Sequence, residues 1–127
     1  MEIREFRSTI RAKDFAATCK FYGQVLALPR IASRDAHDGR SAIYQAGPAQ
    51  IEVTGTPRGQ GTDPRVRYHS PEAPMVLTLV VASADAVYQE LILRDRNIPG
   101  GLRKDADGKT IFGTHDPDGV KILFVEE

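Results

Sequence analysis

The side chains in this sequence best suited to chemistry are three histidines, one cysteine and a scatter of arginines and carboxylates, and none of them is clustered. His37 sits beside a turn and His69 in a polar stretch, where exposed histidines usually carry no special duty. His115, just before the turn at Asp116, is the histidine placed to act as an acid, a base or a ligand. Cys19 recurs with apolar residues at helical spacing and reads as buried filler rather than a nucleophile. A single cysteine also excludes an intrachain disulfide and argues against a structural zinc-thiolate site. Arg58, Arg65 and Arg67 form a basic group, but Gly and Pro interrupt it and aromatic residues barely interleave, so it reads as a solvated loop and not a nucleic-acid surface. No glycine-rich phosphate loop, serine-centred elbow or His-Glu-His motif is present. Any active constellation must therefore be gathered by the fold from distant positions.

The elements that would do the gathering follow from hydrophobic period and turn signals. Phe6, Ser8 and Ile10 alternate with Arg7, Thr9 and Arg11, as in a half-buried strand. Asp14 is placed to cap a helix carrying Phe15, Cys19, Tyr22, Val25 and Leu26, with Pro29 just past its end. Short strands are expected around Ile31, over 42–45 and over 50–54, with Asp38-Gly39 and Gly47-Pro48 as turns. The same order then recurs: a strand from Val76 to Val81, a cap at Ser83, a helix carrying Val87, Leu91 and Ile92, and strands near Leu102, over 110–114 and over 120–125. Residues 56–74 lack periodicity and read as an exposed connection between module one (1–55) and module two (75–127), long enough to suggest a lid or interface arm.

An internal shift of 69 residues strengthens this division. It lays Thr9 on Thr78, Ala17 on Ala86, Arg34 on Arg103, Asp38-Gly39-Arg40-Ser41 on Asp107-Gly108-Lys109-Thr110, and Pro48 on Pro117. A two-residue insertion near Asp118-Gly119 is needed to bring Ile51 onto Ile122. At 127 residues each half alone would bury too little apolar surface, so one domain with a shared core is expected. Seventeen basic residues balance seventeen acidic ones, which gives no electrostatic reason to expect nucleic acid or an anionic membrane as partner. No segment has the apolar run of a signal peptide or a membrane span, and a reduced cytoplasmic setting is expected.

Two stretches resemble a known family. Arg7 to Leu28, with Asp14 ahead of the helix and Phe21-Tyr22-Gly23-Gln24-Val25-Leu26-Ala27-Leu28 at its end, is similar to the first-module signature of the vicinal oxygen chelate superfamily. Asp116-Pro117-Asp118-Gly119-Val120-Lys121-Ile122 resembles that superfamily's closing hairpin. The group includes glyoxalase I, extradiol dioxygenases, fosfomycin-resistance enzymes and bleomycin-binding proteins. The resemblance implies an α+β fold of two tandem βαβββ modules, with curled mixed sheets around a shared cavity, more firmly than it implies a reaction.

Catalytic members of that family hold a divalent metal with side chains on four strands, and the positions can be compared one by one. Arg7 stands where the first histidine is expected, and Val76 where the second module should begin with another. Glu52 matches the carboxylate of the fourth strand, and Leu123 stands where the last glutamate should be. Val76 and Leu123 have no donor atom, and the guanidinium of Arg7 repels a cation. No metal and no other cofactor is therefore expected.

What the resemblance then implies is a small-molecule site lined by Arg7, Thr9, Tyr44, Glu52, Val76, Thr78, Phe112, His115, Lys121 and Leu123. Arg7 and Glu52 should form an ion pair that is either structural or grips a ligand, and the apolar wall suits an aromatic or apolar compound. A binding or sequestering protein is the favoured reading. The alternative is an enzyme of the lyase, isomerase or dioxygenase type, using Glu52 as base or a non-standard metal set such as Glu52 with His115. A homodimer is expected, since modules of this family pair within a chain or across a dimer.

Overall fold

A computed structural model describes residues 2–66, 75–94 and 98–127, so Arg67 and His69 lie outside the described residues. The chain forms two compact units, Met1–Tyr68 and His69–Glu127. The first unit runs β1 (Arg7–Arg11), α1 (Phe15–Lys20), β2 (Arg30–Ala36), β3 (Gly39–Ala46) and β4 (Ala49–Gly55). The second repeats the order with β5 (Val76–Val81), α2 (Ala84–Leu93), β6 (Arg103–Lys104), β7 (Thr110–His115) and β8 (Lys121–Glu126). Each is a βαβββ module with a four-stranded mixed sheet, in the orders β1-β4-β3-β2 and β5-β8-β7-β6. The first and last strands of each module pair in parallel and the remaining neighbours antiparallel. No helix among the described residues is long and apolar enough to cross a membrane.

Helix starts obey the capping chemistry read from the sequence. The Asp14 carboxylate accepts from the backbone N–H of Ala17, and the Ser83 hydroxyl accepts from that of Ala86, both at 3.2 Å. The repeat had paired Ala17 with Ala86, and both prove to be the third residue after a cap, where an N–H would otherwise lack a partner. The first helix does not continue with α-helical period. It widens into a π-helical turn over Phe21–Val25, closed by a bond from Leu26 N–H to Phe21 C=O at 2.9 Å and by Ala27 at φ 55°. The widening buries Phe21 beside Tyr22 and leaves Val25 and Leu26 only half-buried. On α2 the buried face is Ala84 and Leu91, while Ile92 is 40% exposed, so the sequence assigned Ile92 to the wrong side.

Apolar residues on the helix side of each sheet make the core. In the first unit these are Ile10, Ala42, Tyr44, Ile51 and Val53 with Cys19, Phe21 and Tyr22; in the second, Phe112, Ile122 and Phe124 with Leu91. Phe112 stacks on Phe124 at 4.6 Å between centroids. Helix α1 lies so close to β4 that a Cβ on Gly55 would come within 2.6 Å of the Phe15 Cβ, which explains glycine there.

The repeat is real in the sheets, but its insertion is divided. Ile51 faces Ser8 as Ile122 faces Leu77, which verifies their equivalence. Arg34 and Arg103, 69 residues apart, face Ser41 and Ile111, which are 70 apart. One extra residue thus falls in the turn between β6 and β7 and one between β7 and β8, not both near Asp118-Gly119. The second of these turns is built on buried Asp116, whose Oδ1 accepts from the N–H groups of Asp118 and Val120 at 2.8 and 2.9 Å. Asp116→Ala strands both donors, and a loss of about 1–3 kcal/mol per group follows. Urea unfolding of the variant should show a clearly lower midpoint, and an unchanged midpoint would mean that water replaces the carboxylate.

Candidate functional site

Strand pleat sorts the sequence-derived site residues onto faces. In the first unit the register Arg7↔Gln50, Thr9↔Glu52 and Arg11↔Thr54 puts six polar side chains on the face away from α1. Ser41 and Ile43 continue that face on β3, opposite Thr54 and Glu52. In the second unit Val76↔Lys121 and Thr78↔Leu123 place those four on the corresponding face, and His115 joins them through its pairing with Lys121. Leu123 therefore occupies in the second sheet the register position that Glu52 holds in the first, and Val76 the position of Arg7.

Tyr44 and Phe112 do not belong with them. Tyr44 pairs with Ile51 and Phe112 with Phe124, so both point to the helices, and each is fully buried there. The Tyr44 hydroxyl donates to the Cys19 carbonyl at 3.2 Å and accepts from Arg30 at 3.1 Å. The sequence could not resolve this, because a one-residue change of register exchanges the two faces of a strand.

On the open face of the first unit, Glu52 is the centre of a connected polar group. Its Oε1 accepts from the Thr9 hydroxyl at 3.1 Å, and its Oε2 lies 3.8 Å from an Arg7 terminal nitrogen. Arg7 also donates from Nε to Gln50 Oε1 at 3.2 Å and pairs with Glu5 at 3.2 Å. The Glu52 side chain is 21% exposed. Beside it opens a hollow of about 670 Å³ lined by Thr9, Glu52 and Thr54 on the floor and by Arg11, Arg34 and Asp63 among its walls.

Asp63 belongs to the segment that the sequence assigned to an exposed connection. Residues 56–66 are largely exposed, as that reading expects, but hydrogen bonds tie them to the first unit. Asp63 N–H donates to the Lys13 carbonyl at 2.8 Å, Lys13 Nζ donates to Val66 C=O at 3.2 Å, and Arg40 Nε donates to Thr56 C=O at 2.9 Å. The Asp63 side chain, 3% exposed, accepts from Arg65 N–H, Nε and a terminal nitrogen at 3.0–3.2 Å and faces Arg11 at 3.5 Å. Arg58 and Arg65 are indeed solvated, but both are tied down, Arg58 by Asp35 at 2.9 Å. Sequence reasoning missed Arg11, Arg34 and Asp63. The alternation Arg7, Thr9, Arg11 already contained the signal for Arg11, whereas nothing local marked Asp63.

The Arg65 hydrogen bonds, from side chain and backbone, hold the Asp63 carboxyl at about 2, below its ordinary 3.8, against a smaller opposing effect of burial. A carboxylate whose folded value lies below its unfolded one stabilises the fold fully above roughly pH 4, and that contribution fades as pH falls towards 2. Asp63→Asn should therefore flatten the decline of the urea midpoint between pH 4 and 2 relative to the parent chain. Equal steepness in the two proteins would refute the assignment.

The βαβββ repeat and the position of Glu52 on the open face define the class. The chain belongs to the Glyoxalase/Bleomycin resistance protein/Dioxygenase superfamily, whose family model matches residues 6–124. Among solved structures it is similar to SMU.1112c (21% identity over 95% of this chain and 96% of that one, TM-score 0.81). It is also similar to a glyoxalase family protein from Enterococcus faecalis (22%, 98% and 97%, 0.74). A third likeness is to a trypanothione-dependent glyoxalase I from Leishmania major (21%, 99% and 88%, 0.71). At these identities the likeness is one of fold. No curated protein matches the sequence significantly.

Proposed function

We propose that this chain is a small-molecule binding or sequestering protein of the superfamily that works without a divalent metal at Glu52. The observation that carries the reading is the state of Glu52 itself, whose two oxygens are engaged by Thr9 and Arg7. A divalent cation takes several nitrogen or oxygen ligands at about 2.0–2.2 Å, and its charge is opposed by the positive guanidinium of Arg7. The donor set does not fit such an ion. Val76 and Leu123, at the equivalent positions of the second sheet, offer no lone pair, and among the described residues no three His, Cys, Asp or Glu side chains gather as a metal would require.

The ligand is best matched by a compound with a polar or anionic end for the arginine-lined hollow. The apolar or aromatic body is the one inferred from the sequence. A second reading, an enzyme with Glu52 as base, is favoured by the place of that carboxylate on the floor of a ligand-sized hollow. Exposed Val76 and Val80 on the edge strand β5 support the homodimer as part of the same proposal.

Protein purified without chelator should contain far less than one divalent ion per chain by elemental mass spectrometry, and one ion per chain would reject the metal-free reading. A thermal-shift screen of aromatic metabolites and antibiotics should yield a ligand whose affinity falls about tenfold or more in Arg7→Ala. Unchanged affinity removes Arg7 from the site. Light scattering showing only a 14.0 kDa species would refute the dimer.

A further inference from the structure

A second hollow, of about 450 Å³, opens on the opposite side of the first sheet, where α1 and the π-helical turn leave part of β2 and β3 uncovered. Its apolar surface is Phe15, Leu28 and Gly23, its floor is Tyr44 and Cys19, and three cations line it: Lys20, Arg30 and Arg40. No acidic residue among the described residues lines it. None of the three cations lies within ion-pairing distance of a described carboxylate. The carboxylate most directly placed to answer Arg40 is Asp35, its cross-strand partner, and Asp35 is taken by Arg58 at 2.9 Å.

Both guanidiniums are oriented without being neutralised. Arg30 donates to the Tyr44 hydroxyl at 3.1 Å and lies 5.6 Å from that ring's centroid. Arg40 lies 4.7 Å from the Phe15 centroid and spends Nε on the Thr56 carbonyl. A guanidinium has five N–H donors, so each keeps several for a ligand, and the ring behind it fixes its plane. The Cys19 thiol registers the local field: burial pushes its pKa up, while the Tyr44 hydrogen bond and then Arg30 and Arg40 pull it back. A positive field over an apolar floor, in a hollow of ligand size, is the arrangement that recognises an amphipathic anion.

We propose that this helix-side hollow, which shares Arg40 alone with the hollow beside Glu52, is a second binding site, for a small aromatic carboxylate. Its negative group is met by Arg30, Arg40 and Lys20, and its ring lies against Phe15 and Leu28. The site needs no rearrangement of ion pairs, because no described carboxylate must be displaced to admit the anion.

The test uses the full chain with 1-naphthoate as probe and the neutral 1-naphthalenemethanol as its uncharged counterpart. In two-dimensional amide NMR, 1-naphthoate should shift the resonances of Cys19, Gly23 and Arg40, and its affinity should fall as salt is raised. Lys20→Glu and Arg30→Gln should each weaken binding about tenfold, and the alcohol should bind about tenfold more weakly than the acid. Lys20 is exposed at the end of α1, so its variant leaves the core intact, and Arg7→Ala on the other face should bind the probe as the parent does. Shifts confined to Thr9 and Glu52, equal affinity for acid and alcohol, or unchanged affinity in both Lys20→Glu and Arg30→Gln would each overturn the assignment.

Discussion

Everything that distinguishes the two faces of each sheet depends on the parallel pairing between the first and last strands of a βαβββ module. A parallel pair requires a crossover, and here the crossover carries the helix back over one face of the sheet. Side chains of even position on β1 then meet α1, and those of odd position look away from it. The pairing Thr9↔Glu52 is one rung of that ladder, and it puts a hydroxyl beside a carboxylate without any long side chain having to reach. Arg7 follows two residues earlier on the same face, near enough to the same carboxylate to pair with it. A slip of one residue in β1 would turn Arg7 under the helix and away from Glu52, where its charge loses both hydration and partner. The register is therefore held by the apolar side, Ile10, Ile51 and Val53, and the polar side inherits its geometry.

The two modules share this frame and fill it differently. Glu52 and Leu123 occupy one register position, as do Arg7 and Val76 and also Gln50 and Lys121. The first open face is a lattice of arginines, carboxylates and hydroxyls; the second is mainly valine and leucine with Thr78, Lys121 and His115. An exposed ion pair contributes little to stability, on the order of 1 kcal/mol or less, so the polar lattice is not what keeps the first module folded. The ligand site we propose draws on this polar lattice, which is present in one module alone, while the corresponding face of the second module is mainly apolar.

Much of this was legible in the sequence because it is local. Asp14 and Ser83 announce helix starts by the chemistry of the side-chain oxygen, and Asp107-Gly108 and Asp116-Pro117-Asp118-Gly119 announce turns by backbone conformation. The repeat aligned Thr9 with Thr78 because both occupy the same rung. What remained hidden depends on distance or on a single-residue count. Tyr44 and Phe112 were read as site residues, yet strand period fixes their face only once the turn before them is known to a residue, and the turn between β6 and β7 carries one residue more than its counterpart. Ile92 lies one step round α2 from the buried stripe, a difference that composition alone does not reveal. Asp63 is buried through partners such as Lys13 and Arg11, some fifty residues away in sequence, and no local pattern predicts such a contact.

The described arginines of the first unit divide into two sets, and the division has a physical consequence. Arg7, Arg11, Arg34 and Arg65, together with the peripheral Arg4 and Arg58, are each matched to a carboxylate. Arg30 and Arg40, on the helix side, are matched to a hydroxyl, a carbonyl and aromatic faces. A carboxylate answers a unit charge with a unit charge, whereas a ring quadrupole or a carbonyl dipole answers only part of it. An anion approaching the open face must therefore compete with acids already in place, and selectivity at the site we propose there would rest on geometry, through bidentate contacts or shape. At the helix-side site we propose, the same anion would meet charge that no described carboxylate compensates, and the attraction would depend on salt more than on shape. Two sheet faces built from one residue type thus present opposite recognition problems, and the pairing of Asp35 with Arg58 instead of Arg40 is the detail that keeps the second set available.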